Sequence, residues 1–108
     1  MIFELRTYVA MPGRLPELHT RFREHTTKIW TRLGWEMVGF WTYKHGGSSD
    51  TLVYMLGWAD QQTRDAQFAA FQADPEWLSA RAASEVNGPL VARITSEILQ
   101  PTDYSARQ

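Results

Sequence analysis

Two runs of strand-favouring residues dominate the hydrophobic pattern of this chain. They cover Trp35–Lys44 and Thr51–Trp58 and flank a Gly46–Asp50 turn cluster, which is typical of a β-hairpin with a longer loop. Neither run alternates between apolar and polar positions, so both faces of the hairpin must be covered. If Lys44 lies opposite Thr51, one face carries four large aromatic side chains: Trp41, Tyr43, Tyr54 and Trp58.

The first strand, predicted over Ile2–Val9, has two different faces. We expect one face to pack against helices, and its residues are Phe3, Leu5, Thr7 and Val9. The other face carries a carboxylate, a guanidinium and a phenol, from Glu4, Arg6 and Tyr8.

Helices are predicted from spacing and from capping residues. The first has an apolar stripe at spacings of three, four and seven and ends at Gly34; the stripe residues are Leu15, Leu18, Phe22, Ile29 and Leu33. Asp60 can cap a second helix over Gln61–Gln72. Asp74 and Pro75 begin a short third helix that ends near Glu85.

The last strand, Val91–Leu99, completes one domain over residues 1–100, and residues 101–108 form a loosely held polar tail. The order strand, helix, strand, strand, helix, strand predicts an α+β fold, a ferredoxin-like βαββαβ unit. Right-handed crossovers place both helices on one side of its sheet. With the hairpin aromatics on the open side, the exposed apolar area would exceed what a monomer tolerates. We therefore expect a homodimer in which two open faces enclose an internal cavity.

Composition narrows the class of partner. The net charge of the 108 residues is −1 and no run of like charges occurs, which argues against nucleic acid and anionic membranes as partners. The chain has no cysteine, which excludes disulfides and is compatible with a reducing cytoplasm. No apolar run approaches the roughly 20 residues that span a bilayer, and Met1–Arg6 begins a strand rather than a signal peptide. A cytoplasmic protein that does not bind membranes is expected.

Five short motifs in a fixed order cover nearly the whole chain. They are Glu4-Leu5-Arg6-Thr7-Tyr8 followed by Pro12-Gly13, Phe22-Arg23-Glu24-His25, Val38-Gly39-Phe40-Trp41-Thr42, Asp74-Pro75-Glu76-Trp77, and Ile98-Leu99-Gln100-Pro101. In these motifs the chain resembles the NIPSNAP family, within the superfamily of dimeric α+β barrels. The resemblance implies ferredoxin-like units that dimerise face to face. That superfamily includes cofactor-independent monooxygenases, isomerases, lyases, dehydratases and haem-binding enzymes.

Two departures from the family pattern bear on the site. Where the third strand of the family often carries a histidine, this chain has Tyr54, which removes a natural haem ligand. We therefore predict no cofactor. The loop His45–Asp50 also differs from the usual family loop, so the rim of the pocket is expected to serve a different ligand.

The polar face of the first strand is the first candidate site. Burying charge in a central strand costs several kcal/mol unless the charge is paired. Arg6 would hold an anionic or carbonyl group of a ligand while Tyr8 donates a hydrogen bond. Alternatively, Glu4 and Arg6 pair internally, or Arg6 reaches Glu97 across the dimer, and the residues only fix the register of the subunits.

His25 is the candidate general base. It follows Phe22 by three residues and precedes Ile29 by four, so we expect it at the core or the cavity edge. Its unperturbed pKa of about 6.5 suits proton abstraction from a carbon acid or a phenol. The alternative is a core histidine hydrogen-bonded to a carbonyl. No metal-ligand spacing such as His-Glu-x-x-His occurs, so no metal site is predicted.

The hairpin aromatics complete the prediction. Trp41, Tyr43, Tyr54 and Trp58 would form an aromatic box for a planar substrate, or else the core of the dimer. The leading hypothesis is a homodimer that binds a small apolar or aromatic metabolite and uses cofactor-independent acid/base chemistry of the lyase, isomerase or monooxygenase type. The alternative is a non-catalytic structural or interaction dimer.

Overall fold

A four-stranded antiparallel sheet forms one layer of the computed structural model, which describes residues 1–108. Its strands are β1 (Ile2–Ala10), β2 (Glu36–Thr42), β3 (Thr51–Trp58) and β4 (Val91–Leu99), in the spatial order β2-β3-β1-β4. The second layer contains α1 (Leu15–Arg21), α2 (Thr27–Arg32), α3 (Gln61–Gln72) and α4 (Pro75–Ser84). The α+β ferredoxin-like fold is confirmed, with β1 between β3 and β4.

The predicted helix ends are confirmed in detail. The side chain of Asp60 accepts a hydrogen bond from the backbone N–H of Thr63, and Asp74 does the same for Trp77. Gly34 has φ +79°, the left-handed conformation that ends a helix most readily at glycine. None of the helices is long and apolar enough to cross a bilayer.

A π-helical turn, Phe22–Thr26, joins α1 to α2. The Thr27 backbone N–H donates to the carbonyl of Phe22, five residues earlier, and the Thr27 hydroxyl donates to the same oxygen at 2.9 Å. The wider turn directs Phe22 and Thr26 into the protein and leaves His25 exposed. The predicted position of His25 at the core or the cavity edge is therefore wrong.

The polar face of β1 is shared with β3, because Arg6 pairs with Tyr54 and Tyr8 pairs with Leu52. This face lies under the helices: Tyr8 packs edge-on against Phe22 with ring centroids 5.6 Å apart. The residues expected to pack against helices lie instead on the open face of the sheet: Phe3, Leu5, Thr7 and Val9. The predicted assignment of the two faces is wrong, and the aromatic residues Tyr54 and Trp58 are buried within one chain.

A β-bulge changes the faces of β2. The register shifts between Met37 and Gly39, so Phe40 pairs with Tyr54 and Trp41 pairs with Val53. One extra residue reverses which side chains point to each face. Trp41 therefore lies on the open face, 51% exposed, over Gly39, where an added Cβ would lie 2.6 Å from the indole ring.

The loop after β2 and the C-terminal tail lie largely outside the core. Tyr43 follows β2 and is 51% exposed. In the C-terminal tail, Arg107 pairs with Glu36 and lies 5.6 Å from the ring of Phe3. The tail thus covers one end of the open face through this residue.

Candidate functional site

A carboxylate with no exposed surface, Glu4, organises the helix-covered face of β1. Its Oε1 accepts hydrogen bonds from Trp58 Nε1 and Arg64 Nε, each at 3.0 Å. Its Oε2 accepts from Arg6 Nη1 at 2.9 Å, from Arg64 Nη2 at 2.8 Å and from the Ser96 hydroxyl. Burial alone would raise the pKa of Glu4, but the bonds from Arg64, Ser96 and Arg6 outweigh it and lower the pKa to about 2.

Arg6 extends this network towards two phenols. Its Nε donates to the Tyr54 hydroxyl at 2.6 Å and its Nη2 to the Tyr8 hydroxyl at 3.2 Å. The two hydroxyl oxygens are 3.0 Å apart. Tyr54 is fully buried and has no other acceptor in reach, so its proton is donated to Tyr8. Tyr8 thus accepts two hydrogen bonds and keeps its own proton free to donate.

A cavity of about 280 Å³ lies between this face of the sheet and the helices, and Arg6 and Tyr8 form part of its floor. Six aromatic and polar side chains from the helices form its walls: Phe22, Thr26, Trp30, Phe68, Phe71 and Trp77. The cavity opens to solvent between the helices and β4, where three of its lining residues are exposed: Gln72, Arg81 and Ile94. Tyr8, whose hydroxyl proton is free to donate, therefore faces an apolar cavity with a polar rim.

Arg21 is a second buried guanidinium on the helix wall of the cavity, and it is only 6% exposed. Its Nη1 donates to the Ser84 hydroxyl at 3.3 Å and is 3.9 Å from a carboxylate oxygen of Glu85. Its guanidinium lies 5.3 Å from the centre of the Trp77 ring. The Nε has no hydrogen-bond partner. Burial lowers the pKa of Arg21, because the nearby Glu85 offsets the loss of hydration only in part.

Two further buried polar atoms without partners belong to residues of the same cavity wall. They are the Thr26 hydroxyl and the indole Nε1 of Trp30. Unsatisfied buried groups are uncommon in folded proteins, so their concentration with Arg21 around one cavity makes this wall a candidate binding surface.

The structure brings together some of the residues predicted for the site and separates others. Arg6 and Tyr8 line the cavity, while Glu4, Tyr54 and Trp58 lie behind them in the hydrogen-bond network. The internal Glu4–Arg6 pair, one of the predicted alternatives, is present at 2.9 Å. A link from Arg6 to Glu97 is not possible as predicted, because Glu97 pairs with Leu5 on the opposite face.

Three predicted site residues lie away from the cavity. His25 is on the outer surface of the helices, Trp41 is on the open face, and Tyr43 lies in the loop after β2. The residue that sequence reasoning missed is Arg21. Its position three residues after Leu18 and next to Phe22 indicates the buried side of the helix, but the same spacing is common for solvent-exposed arginines.

The strand order and the helices on one face of the sheet define the class of the protein, a ferredoxin-like α+β domain. The NIPSNAP family model matches residues 3–106, and the chain belongs to the NIPSNAP family.

Solved structures of similar proteins agree with this membership. An uncharacterised NIPSNAP-like domain protein from Burkholderia xenovorans is 26% identical over 96% of this chain and 87% of that chain, with a TM-score of 0.81. A NIPSNAP family protein of unknown function from Agrobacterium tumefaciens is 25% identical over 98% of this chain and 92% of that chain, with a TM-score of 0.82. An antibiotic biosynthesis monooxygenase, 14% identical over 94% of this chain and 99% of that chain with a TM-score of 0.60, shares the fold alone. A comparison with curated proteins finds no match.

Proposed function

We propose that this chain binds a small apolar or aromatic metabolite in the cavity between its helices and sheet, and that Tyr8 supplies a proton in cofactor-independent acid/base chemistry. The observation that carries the proposal is the direction of the hydrogen bonds. They run from Arg6 to Tyr54 and from both residues to Tyr8, and they leave the Tyr8 proton for a cavity ligand.

The chemistry follows from the surroundings of Tyr8. A hydroxyl that accepts a hydrogen bond from a guanidinium is a stronger donor, and the effect is larger away from water. Such a donor stabilises the oxyanion of an enolate or phenolate, which lyase, isomerase and cofactor-independent oxygenation reactions can all pass through. The role of base, predicted for His25, has no support, because His25 does not line the cavity.

Acetophenone is a suitable neutral probe, because it has one ring and one carbonyl acceptor. We expect its NMR titration to perturb residues of the cavity, and Tyr8→Phe to weaken binding about tenfold through loss of one hydrogen bond. Tyr43→Phe is the matched control, since Tyr43 is an exposed tyrosine outside the site, and it should leave binding unchanged. Equal binding by the wild type and Tyr8→Phe would contradict the role of Tyr8.

Exchange of the methyl protons of bound acetophenone with D2O separates catalysis from binding. Exchange that depends on Tyr8 supports acid/base chemistry through an enol. Binding without exchange above the solvent rate would leave a binding protein for which the acid/base part of the proposal is wrong.

The partner that fits the open face of the sheet is a second copy of the chain. Leu5, Val53 and Met55 lie centrally on this face without a helix over them, and Trp41 stands 51% exposed beside them. A two-fold dimer uses the same surface on both subunits, so an apolar face of this kind would pack against its own copy. We expect a dimer in sedimentation equilibrium and a monomer for Val53→Lys. Because the cavity lies within each chain, a monomeric wild type would contradict the dimer without removing the ligand site.

The second candidate is a non-catalytic interaction dimer. It is favoured by the Glu4–Arg6–Arg64 network, in which the buried charges pair with one another within the chain. Under this alternative the dimer persists, acetophenone does not bind, and Tyr8→Phe changes only stability.

A further inference from the structure

We infer that the ligand of the cavity carries a carboxylate and that Arg21 binds it. This inference rests on the proposed function, since it requires that the cavity is a ligand site. It adds the chemical class of the ligand and assigns the anion-binding role to Arg21 rather than to Arg6.

The first argument is the unused hydrogen-bonding capacity of Arg21. A guanidinium has five N–H donors, and within the chain Arg21 makes one hydrogen bond, to Ser84 at 3.3 Å. Its Nε is fully buried without a partner, and Glu85 is 3.9 Å away, beyond hydrogen-bond distance. A carboxylate is the group that matches the planar donors of a guanidinium, because its two oxygens can accept two parallel bonds.

The second argument is the surplus of positive charge around the cavity. Arg6 and Arg64 share one carboxylate, Glu4, and Arg21 and Arg81 share another, Glu85. Arg64 also pairs with Asp65, so four guanidinium groups against three carboxylates leave a local excess of one positive charge in a chain whose net charge is −1. A cavity with this excess favours an anion over a neutral isostere.

The third argument is the size and lining of the space. One water molecule occupies about 30 Å³ in the liquid. If each non-hydrogen atom of a ligand takes a similar volume, roughly ten such atoms fill a cavity of about 280 Å³. This suits one aromatic ring with a short acidic arm. Trp77, stacked on Phe71 at 4.7 Å, forms an aromatic wall directly beside the Arg21 guanidinium, so ring and acid are accommodated together. The partnerless Thr26 hydroxyl belongs to the same wall.

The test compares phenylacetate with phenylacetamide, which has the same shape but no charge, by NMR titration or calorimetry. We expect the wild type to bind the acid at least about tenfold more tightly than the amide. Arg21→Met should lower the affinity for the acid to that for the amide. Arg21→Lys should retain part of the preference, because it keeps the charge without the planar donors. Arg23→Met, which changes an exposed arginine near Arg21, is the matched control and should not alter the preference.

Each contrary outcome has a distinct meaning. Equal affinity for acid and amide in the wild type, or binding of acetophenone but of neither probe, overturns the carboxylate while the proposed function stands. A preference that survives both Arg21 substitutions overturns the assignment to Arg21. Failure of acetophenone, acid and amide alike overturns both the inference and the ligand site on which it rests.

Discussion

Two buried arginines face the same cavity from opposite sides and differ in their hydrogen-bond partners. Arg6, on the sheet, donates to Glu4, Tyr54 and Tyr8. Arg21, on the helices, makes one hydrogen bond of 3.3 Å and keeps its Nε unpaired. Burial disfavours the charge of both, but hydrogen-bonding neighbours more than compensate at Arg6 and raise its pKa, whereas at Arg21 burial prevails and lowers the pKa.

The difference separates a buried charge that stabilises the fold from a buried charge whose N–H donors remain available to a ligand. A buried ion such as Arg6, whose three nitrogens each have a hydrogen-bond partner, contributes to a unique, well-ordered interior, and removing its ionic partner leaves it uncompensated. A buried ion with free donors has a free-energy cost that a ligand can offset. Residue type and degree of burial alone do not distinguish the two arginines, which are 9% and 6% exposed; their partners do.

The largest effect is expected for Glu4→Gln, which removes the charge shared by Arg6 and Arg64 and keeps the shape of the side chain. We expect the free energy of unfolding to fall by about 3–5 kcal/mol in urea titrations, because two guanidinium groups lose their counter-ion. Glu17→Gln removes the charge of an exposed glutamate that pairs with Arg14 at the surface, and its effect should be much smaller. A loss of equal size in the two variants would mean that the network around Glu4 is not structurally dominant.

Acid should weaken the same network. The pKa of Glu4 is lowered from 4.5 to about 2 in the folded chain, so its stabilising contribution is complete above pH 4.5 and is lost as the pH falls towards 2. A lowering of this size corresponds to about 3 kcal/mol in the free energy of unfolding. Urea titrations between pH 6 and pH 2, compared with Glu4→Gln, check this value, since the variant lacks the titrating group. An equal acid loss in the variant would assign the effect to other carboxylates.

Tyr54→Phe should have an intermediate effect. The substitution leaves the buried Nε of Arg6 without its acceptor, so Arg6 acquires the same deficiency that Arg21 has in the wild type. An unsatisfied donor of this kind costs about 1–3 kcal/mol in the free energy of unfolding. Because Tyr8 also loses a donor, the binding of acetophenone should weaken as well. A fully stable Tyr54→Phe would show that the larger number of hydrogen bonds made by Arg6 is not what distinguishes the two arginines.

Arg21→Met should have the smallest effect on stability. Methionine fills most of the volume and removes an incompletely paired buried charge, so we expect a change of less than about 1 kcal/mol in either direction. Arg6→Met is the matched comparison and should cost about 3–5 kcal/mol, since Glu4 loses a buried partner. Similar losses in both variants would remove the contrast between a structural and an available arginine.

The element order and most of the helix ends were predictable from local pattern. Asp60 and Asp74 cap helices, and Gly34 ends one, because these effects depend on a few neighbouring residues. The common face of Glu4, Arg6 and Tyr8 was also predictable, because alternation along a strand is a local property.

The candidate site was only partly predictable. Arg6 and Tyr8 line the cavity as residues of one strand face, but His25 and Trp41 do not. A single extra residue displaced each of the latter two: the π-helical turn Phe22–Thr26 turned His25 outward, and the β-bulge in β2 moved Trp41 to the open face. Such one-residue changes leave composition and hydrophobic periodicity nearly unaltered.

By itself, then, the amino-acid sequence determined the βαββαβ order, the ends of its elements and the grouping of polar residues on β1, since each depends on interactions between near neighbours along the chain. Only the tertiary structure decided which face of the sheet the helices cover, and that Arg64 and Ser96 supply the partners that make a buried Glu4 tolerable. It alone also left Arg21 without a complete set of partners. The physical reason is that the hydrogen-bond partners of a buried charge come from distant parts of the chain. Arg64 and Ser96 are 60 and 92 residues away from Glu4, and Ser84 is 63 residues away from Arg21. A pattern of neighbouring residues does not predict such contacts.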